Sequence, residues 1–191
     1  MILLLAALLI LAVPQAGDSL ADAVSLARTH DQALFEAFNA GYQLAASGEV
    51  ERVEVVTEFR RAVLLARARA DQGDFSFTPR DLDLAMTPFR GRVGFLAQVR
   101  LNPLNTYATP PPYLLYIRTG PATPPLAPGD LKRDPVFPPG LSRPGTAMTA
   151  VAIEASFSRA DIVGAADPHL MILDPQGTTI WDARLDLTRY R

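Results

Sequence analysis

The sequence predicts an α+β fold, with N-terminal helices followed by an antiparallel β-sandwich or sheet. Three observations carry this. Apolar residues recur at spacings of three and four through residues 22–89 and at a spacing of two from Arg92 onward. Asp174-Pro175-Gln176-Gly177 lies between two strand-like runs as a type I turn signature. Residues 121–144 hold eight prolines in twenty-four positions. Such a stretch cannot sit within a sheet interior, and it suits a chain passing between two sheets of a sandwich.

Residues 2–13 form an unbroken apolar run. As a helix it reaches only about 18 Å, against roughly 30 Å of bilayer hydrocarbon. That is the length of the apolar region of a secretory signal, and small residues follow where a signal peptidase could cut. Ala16 supplies the right last residue but puts Pro14 at the other small-residue position, whereas Ser19-Leu20-Ala21 satisfies both. Residues 1–21 are therefore expected to be a cleaved signal peptide, although no Lys or Arg precedes the run. Residues 22–191 are expected to form a single domain, helical over about 22–89 and β over about 90–191. The expected location is periplasmic or extracellular, with no stable transmembrane span after cleavage.

Thr29-His30-Asp31-Gln32 has the form of a capping box. It would open a helix whose face is Leu34, Phe35, Phe38 and Tyr42, ending at Gly48, with a strand around Tyr42 as the alternative. Residues 49–72 read as one long helix with a stripe of Val55, Val56, Phe59, Val63, Ala66 and Ala70, closed by Gly73. Glu58 and Arg61, three apart, are within pairing reach on it. Thr78-Pro79-Arg80-Asp81 starts a shorter helix, because Thr caps, Pro fits the first turn and Asp favours the positive helix end. Leu82, Ala85 and Met86 would face inward, and Pro88 would stop it.

Residues 92–101 alternate Val93, Phe95, Ala97, Val99 and Leu101 with Arg92, Gln98 and Arg100, giving a strand with one wet face. Residues 113–118, 149–157 and 169–173 are further strands, the last apolar on both faces and so central. After the 174–177 turn, residues 179–187 return with Trp181, Ala183, Leu185 and Leu187 on one side. Residues 121–144 are expected to be an extended, solvated crossing.

There is no Cys, which removes disulfides, thiol nucleophiles, Cys-ligated zinc and a lipid anchor on Cys. Arg outnumbers Lys seventeen to one, as in a GC-rich bacterial genome, and no Asn-x-Ser/Thr sequon occurs. The net charge of −2 argues against a nucleic-acid partner. Gly140-Leu141-Ser142-Arg143-Pro144 lacks the last glycine of a nucleophile elbow, and no phosphate-binding glycine loop is present. His30 and His169 have no local spacing that would recruit a metal, and no cofactor is implied. Glu51, Glu54 and Glu58 could serve as paired carboxylates, or as a solvated face among Arg52 and Arg61.

Charge is unevenly spread: residues 1–59 carry eight acids and two bases, residues 60–100 four acids and eight arginines. Arg60, Arg61, Arg67, Arg90, Arg92 and Arg100 are candidates for a partner surface, unless they complement the acidic first segment within the fold. Tyr107 and Tyr113 flank a stiff proline run that could join that surface or blunt a sheet edge. The expected function is an exported, non-catalytic binding or structural protein of the bacterial envelope, facing another envelope protein or an anionic ligand. The alternative is a hydrolase with a dispersed carboxylate and arginine site.

Overall fold

The computed structural model describes residues 19–140 and 147–190. All but the last three residues of the expected leader, and residues 141–144 of the proline-rich stretch, lie outside them.

Helix α1 (Leu20–Ala27) begins ahead of the boundary expected after Ala21. The Ser19 hydroxyl accepts the Asp22 amide, while the Asp22 carboxylate accepts the Ser19 amide and hydroxyl. Helix α2 (Gln32–Ala40) starts later than the expected box at Thr29, because Asp31 takes the Leu34 amide at 3.0 Å. A carboxylate is the stronger acceptor there and complements the helix dipole. The predicted face is only partly used: Leu34 is 51% exposed, while Phe35 and Phe38 are half-buried. Gly48 does not end this helix. With φ +65° it turns the chain from β1 (Gln43–Leu44) into β2 (Val50–Val56), so the strand alternative beside Tyr42 is the one realised.

The largest correction concerns residues 49–72. They are not one helix but strand β2 followed by α3 (Glu58–Asp71). Four of the seven β2 residues are valine, whose branched side chains lose rotamer freedom in a helix and pack well on a sheet. A β-bulge between Val50 and Arg52 brings Val50, Val53 and Val55 into the same core, and Val56 is buried as well. A strand buried on both faces mimics a helical stripe. Thr57 then caps α3, its hydroxyl accepting the Arg60 amide at 3.3 Å, and Gly73 closes it at φ +78°. Glu58 does not pair with Arg61, since its carboxylate accepts the Gly91 amide. Helix α4 (Pro79–Met86) has the expected Thr78 cap, which Asp81 makes reciprocal as a capping box, and buries Leu82 and Met86, although Ala85 is exposed. A 3₁₀ turn, Thr87–Phe89, follows.

The remaining elements are β3 (Arg92–Arg100), β4 (Leu114–Arg118), β5 (Asp130–Val136), β6 (Ala150–Ser158), α5 (Arg159–Val163), β7 (His169–Leu173) and β8 (Thr179–Arg184). They complete two antiparallel sheets, ordered β1-β2-β3-β6-β5 and β4-β7-β8. β7 is central and pairs with β8 as the expected hairpin. Asp174 accepts the Gln176 and Thr178 amides at 2.9 and 2.8 Å to close its turn.

The proline-rich stretch does carry the chain from the small sheet to the large one, but it is not a bare crossing. It contains β5, which among the described residues pairs with β6 alone. At such an edge Pro135 sits in a strand without breaking a central ladder, and the neighbouring charges blunt the edge.

One core joins the inner faces of both sheets, with Phe95, Ile153 and Phe157 from the larger and Leu115, Ile117, Leu170, Ile172 and Trp181 from the smaller. A second cluster packs α1, α3 and α4 through Ala23, Ala27, Ala62, Val63, Leu82 and Met86. Phe38 of α2 borders both clusters. The fold is α+β. Among the described residues no helix is long and apolar enough to cross a membrane.

Candidate functional site

The eight residues singled out in the sequence do not form one surface. Arg60 is 1% exposed and its guanidinium lies against Glu54 at 2.5 Å. It also donates to the Val55 carbonyl at 2.7 Å and to Asn39 Oδ1 at 3.3 Å, and lies 5.0 Å from the Tyr42 ring centroid. Its Nε makes no hydrogen bond among the described residues. Arg52 closes over the same carboxylate from outside. Burial pushes the Glu54 carboxyl upward, but the hydrogen bond from Arg52 and the charge and hydrogen bond of Arg60 outweigh it and hold the group below its ordinary range.

Arg67 pairs with Asp71 at 2.9 Å, lies over Phe35, and donates to the Ala27 and Thr29 carbonyls, tying α3 to the end of α1. Arg90 pairs with Asp83, and Arg100 lies 4.0 Å from Glu51. Tyr113 is 7% exposed, and its carbonyl accepts Arg133 Nε at 2.5 Å. Tyr107 remains 48% exposed in the loop before it. Arg60 and Tyr113 are thus corrected from surface candidates to buried structural residues. Arg60 and Arg100 complement the acidic first segment, as the alternative expectation had it.

Arg61 and Arg92 do come together, in a groove of about 380 Å³ on the outer face of the five-stranded sheet. Its register places Glu154 beside Lys132, and Ser156 beside Asp130. Arg61 reaches in from α3, stacks 4.3 Å over Phe89 and pairs with Glu154 at 3.2 Å. Arg92 enters from the start of β3 and pairs with Asp130 at 2.6 Å.

Two glycines make room for these forks. A Cβ at Gly94 would stand 2.7 Å from Arg61 Nη2, and one at Gly129 would stand 2.6 Å from Arg92 Nη2. The groove is lined by three cations, Arg61, Arg92 and Lys132, and two carboxylates, beside one aromatic ring, and Lys132 is itself paired with Asp134 at 2.7 Å. Lys132, Asp130 and Glu154 were not singled out in the sequence. The two from β5 are hidden in the proline-rich stretch, where the alternation of half-buried Leu131 and Arg133 with exposed Asp130, Lys132 and Asp134 was the available signal.

His169 sits in the row Arg118–His169–Arg184 across the three-stranded sheet. Its Nδ1 is 2.5 Å from Asp182 and its Nε2 is 3.3 Å from Asp167, while Arg118 and Arg184 hold those two carboxylates from the far sides. His30 is exposed ahead of α2. Among the described residues no group of three His, Cys, Asp or Glu is placed to hold a metal ion. Comparison with protein-family models, with curated proteins and with solved structures yields no match.

Proposed function

We propose that the chain is an exported, non-catalytic binding protein of the bacterial envelope, and that its groove between Phe89 and β5 faces an anionic partner. The observation that carries this is the convergence of Arg61 and Arg92, each seated over a glycine, with Lys132 beside them. Export rests on the apolar leader in the sequence.

The carboxylates already in the groove do not close it to an anion. Asp130 keeps 75% of its side chain exposed and Glu154 keeps 42%. Both carboxylates stay in contact with solvent, so a partner's carboxylate or phosphate can take their place on the guanidinium groups without leaving them buried and unpaired. Arg61 keeps its orientation during such an exchange, because Phe89 supports the guanidinium face.

Lys132, the sole lysine, makes the reading testable. An amine-reactive cross-linker applied to envelope fractions should give an adduct that requires Lys132, weakens with salt, and is lost in Arg61→Gln/Arg92→Gln. Screening of exposed charges acts within about 8 Å at physiological ionic strength, which sets the salt range. An adduct that survives both Lys132→Arg and the arginine double variant would overturn the proposal.

A further inference from the structure

Three connections gather at one end of the two sheets: residues 45–49 between β1 and β2, 101–113 between β3 and β4, and 174–178 between β7 and β8. Hydrogen bonds tie this end together. The Trp181 indole N–H donates to the Ala45 carbonyl, the Arg100 amide to the Glu49 carbonyl at 2.8 Å, and Arg133 Nε to the Tyr113 carbonyl. The Leu101 amide donates to the Thr149 carbonyl beside them, where the β5–β6 connection is described up to Gly140 and again from Ala147. Of the twenty-three residues in the three connections only Glu49 and Asp174 are charged, against 20% of the whole chain. Asp174 is committed to its own turn, so this end offers little to an ionic partner.

Leu104 stands out from this end at 88% exposure, with Tyr107 at 48% on the same loop. Two asparagines hold the leucine forward. The Asn105 amide donates to the Asn102 carbonyl at 2.9 Å, closing a turn over Pro103 and Leu104. Asn102 Oδ1 accepts the Leu104 amide at 2.8 Å, and Asn105 Nδ2 donates to the Asn102 and Met148 carbonyls at 2.7 and 2.9 Å.

Backbone donors at this end are largely used up. Pro103, Pro110, Pro111 and Pro112 have no N–H, and the amides of Leu101, Leu104, Asn105, Tyr107 and Tyr113 are bonded within the chain. In the 174–178 turn Pro175 has none, and the amides of Asp174, Gln176, Gly177 and Thr178 are all bonded. A protein or sugar partner is recognised through free donors and charges. A lipid surface favours their absence, because an unpaired amide entering it loses its water without replacement. Leucine suits the acyl boundary and tyrosine the headgroup level.

We infer that this end of the sandwich docks on an electroneutral lipid surface, with Leu104 entering the acyl boundary and Tyr107 at the headgroups. The contact is peripheral and uses neither Arg61 nor Arg92.

Phosphatidylcholine vesicles with brominated acyl chains test it, since bromine quenches only tryptophans close to it. The full chain carries Leu104→Trp in one variant and Leu84→Trp in another. Leu84 is 67% exposed on α4, which leads into the opposite end of β3. Thermal melts confirm that the variants fold, and the unaltered chain gives the background from Trp181. The vesicles should quench Leu104→Trp and leave Leu84→Trp at background. Adding Tyr107→Asp to Leu104→Trp should shift the quenching titration to about tenfold or more higher lipid. Adding Arg61→Gln/Arg92→Gln should leave it unchanged. Because the readout is local, vesicle binding through the apolar run 2–13 does not imitate it. Absence of quenching at position 104, equal quenching at position 84, or indifference to Tyr107→Asp would each overturn the inference. So would self-association that Leu104→Asp abolishes without any quenching of Leu104→Trp, which would make the tip a contact between copies.

Discussion

The Arg60 guanidinium and the Glu54 carboxylate meet at 2.5 Å with both side chains 2% exposed. A strand residue and a helix residue six apart thus share a single buried charge pair, and the bend from β2 into α3 closes around it. Removing one partner should be far more damaging than removing both. Arg60→Met alone should destabilise the fold by about 3–5 kcal/mol, because Glu54 is left buried and charged. Arg60→Met with Glu54→Leu should recover much of that loss, since an apolar pair of similar volume carries no desolvation penalty. Urea titrations of the two single variants and the double variant measure the difference. Additive losses would mean that the pair is not the coupled unit described here.

The same pair sets an acid limit. The folded-state pKa of Glu54 is depressed from its ordinary 4.5. The stability this contributes is fully present above the unfolded pKa, and it is lost as pH falls through the folded value. Stability measured from about pH 6 down to about pH 3 should fall more steeply in the unaltered chain than in the Glu54→Leu/Arg60→Met variant. Equal slopes would assign the acid sensitivity to other carboxylates.

Trp181 ties β8 to the loop after β1. It packs at 5% exposure in the shared core, and its indole N–H donates to the Ala45 carbonyl at 3.1 Å. Trp181→Ala should destabilise by about 3–5 kcal/mol through the cavity it leaves. Replacing the neighbouring Asp182 with Asn keeps an acceptor for His169 and loses only the charge of partly exposed pairs, so it should cost less, about 1 kcal/mol or under. Denaturant midpoints of the two variants that coincide would contradict the register of β8.

Gly94→Ala tests the seat of Arg61. The added methyl displaces the guanidinium from Glu154 and from the Phe89 face, so the cross-link from Lys132 should weaken while the far-UV circular dichroism stays native. Gly48→Ala, where a Cβ meets nothing within 4 Å but φ is +65°, serves as the contrast. It should lower stability by about 1 kcal/mol through backbone strain and leave the adduct intact.

The amino terminus of exported material offers another test. A cut after Ala21 would remove Ser19 and Leu20, and with them the α1 capping box and a residue packed on the helical cluster. The mature chain should therefore begin at Gly17. Mass analysis finding Asp22 would show that α1 tolerates loss of its cap, whereas an intact Met1 in envelope material would remove the expectation of export.

The sequence by itself determined the elements whose signals are local. The Thr78–Asp81 box, the alternation through β3, the Asp174–Gly177 turn and the β7–β8 hairpin all depend on neighbours within a few positions. Backbone geometry and side-chain spacing decide them before the chain meets itself. Tertiary structure decided the rest. Whether residues 50–56 became strand or helix depended on β3 and on Thr57 capping α3, because a valine-rich run buried on both faces carries no single period. Whether 130–136 became a strand depended on the free edge of β6, which accepts Pro135 because among the described residues no strand pairs beyond it. The arginines show the same divide. Charge and spacing made them look alike, but burial took Arg60 into the core and Phe35 took Arg67, leaving Arg61 and Arg92 to meet over two glycines. A guanidinium's role depends on which carboxylate, ring or carbonyl lies within reach, and that distance exists only after folding.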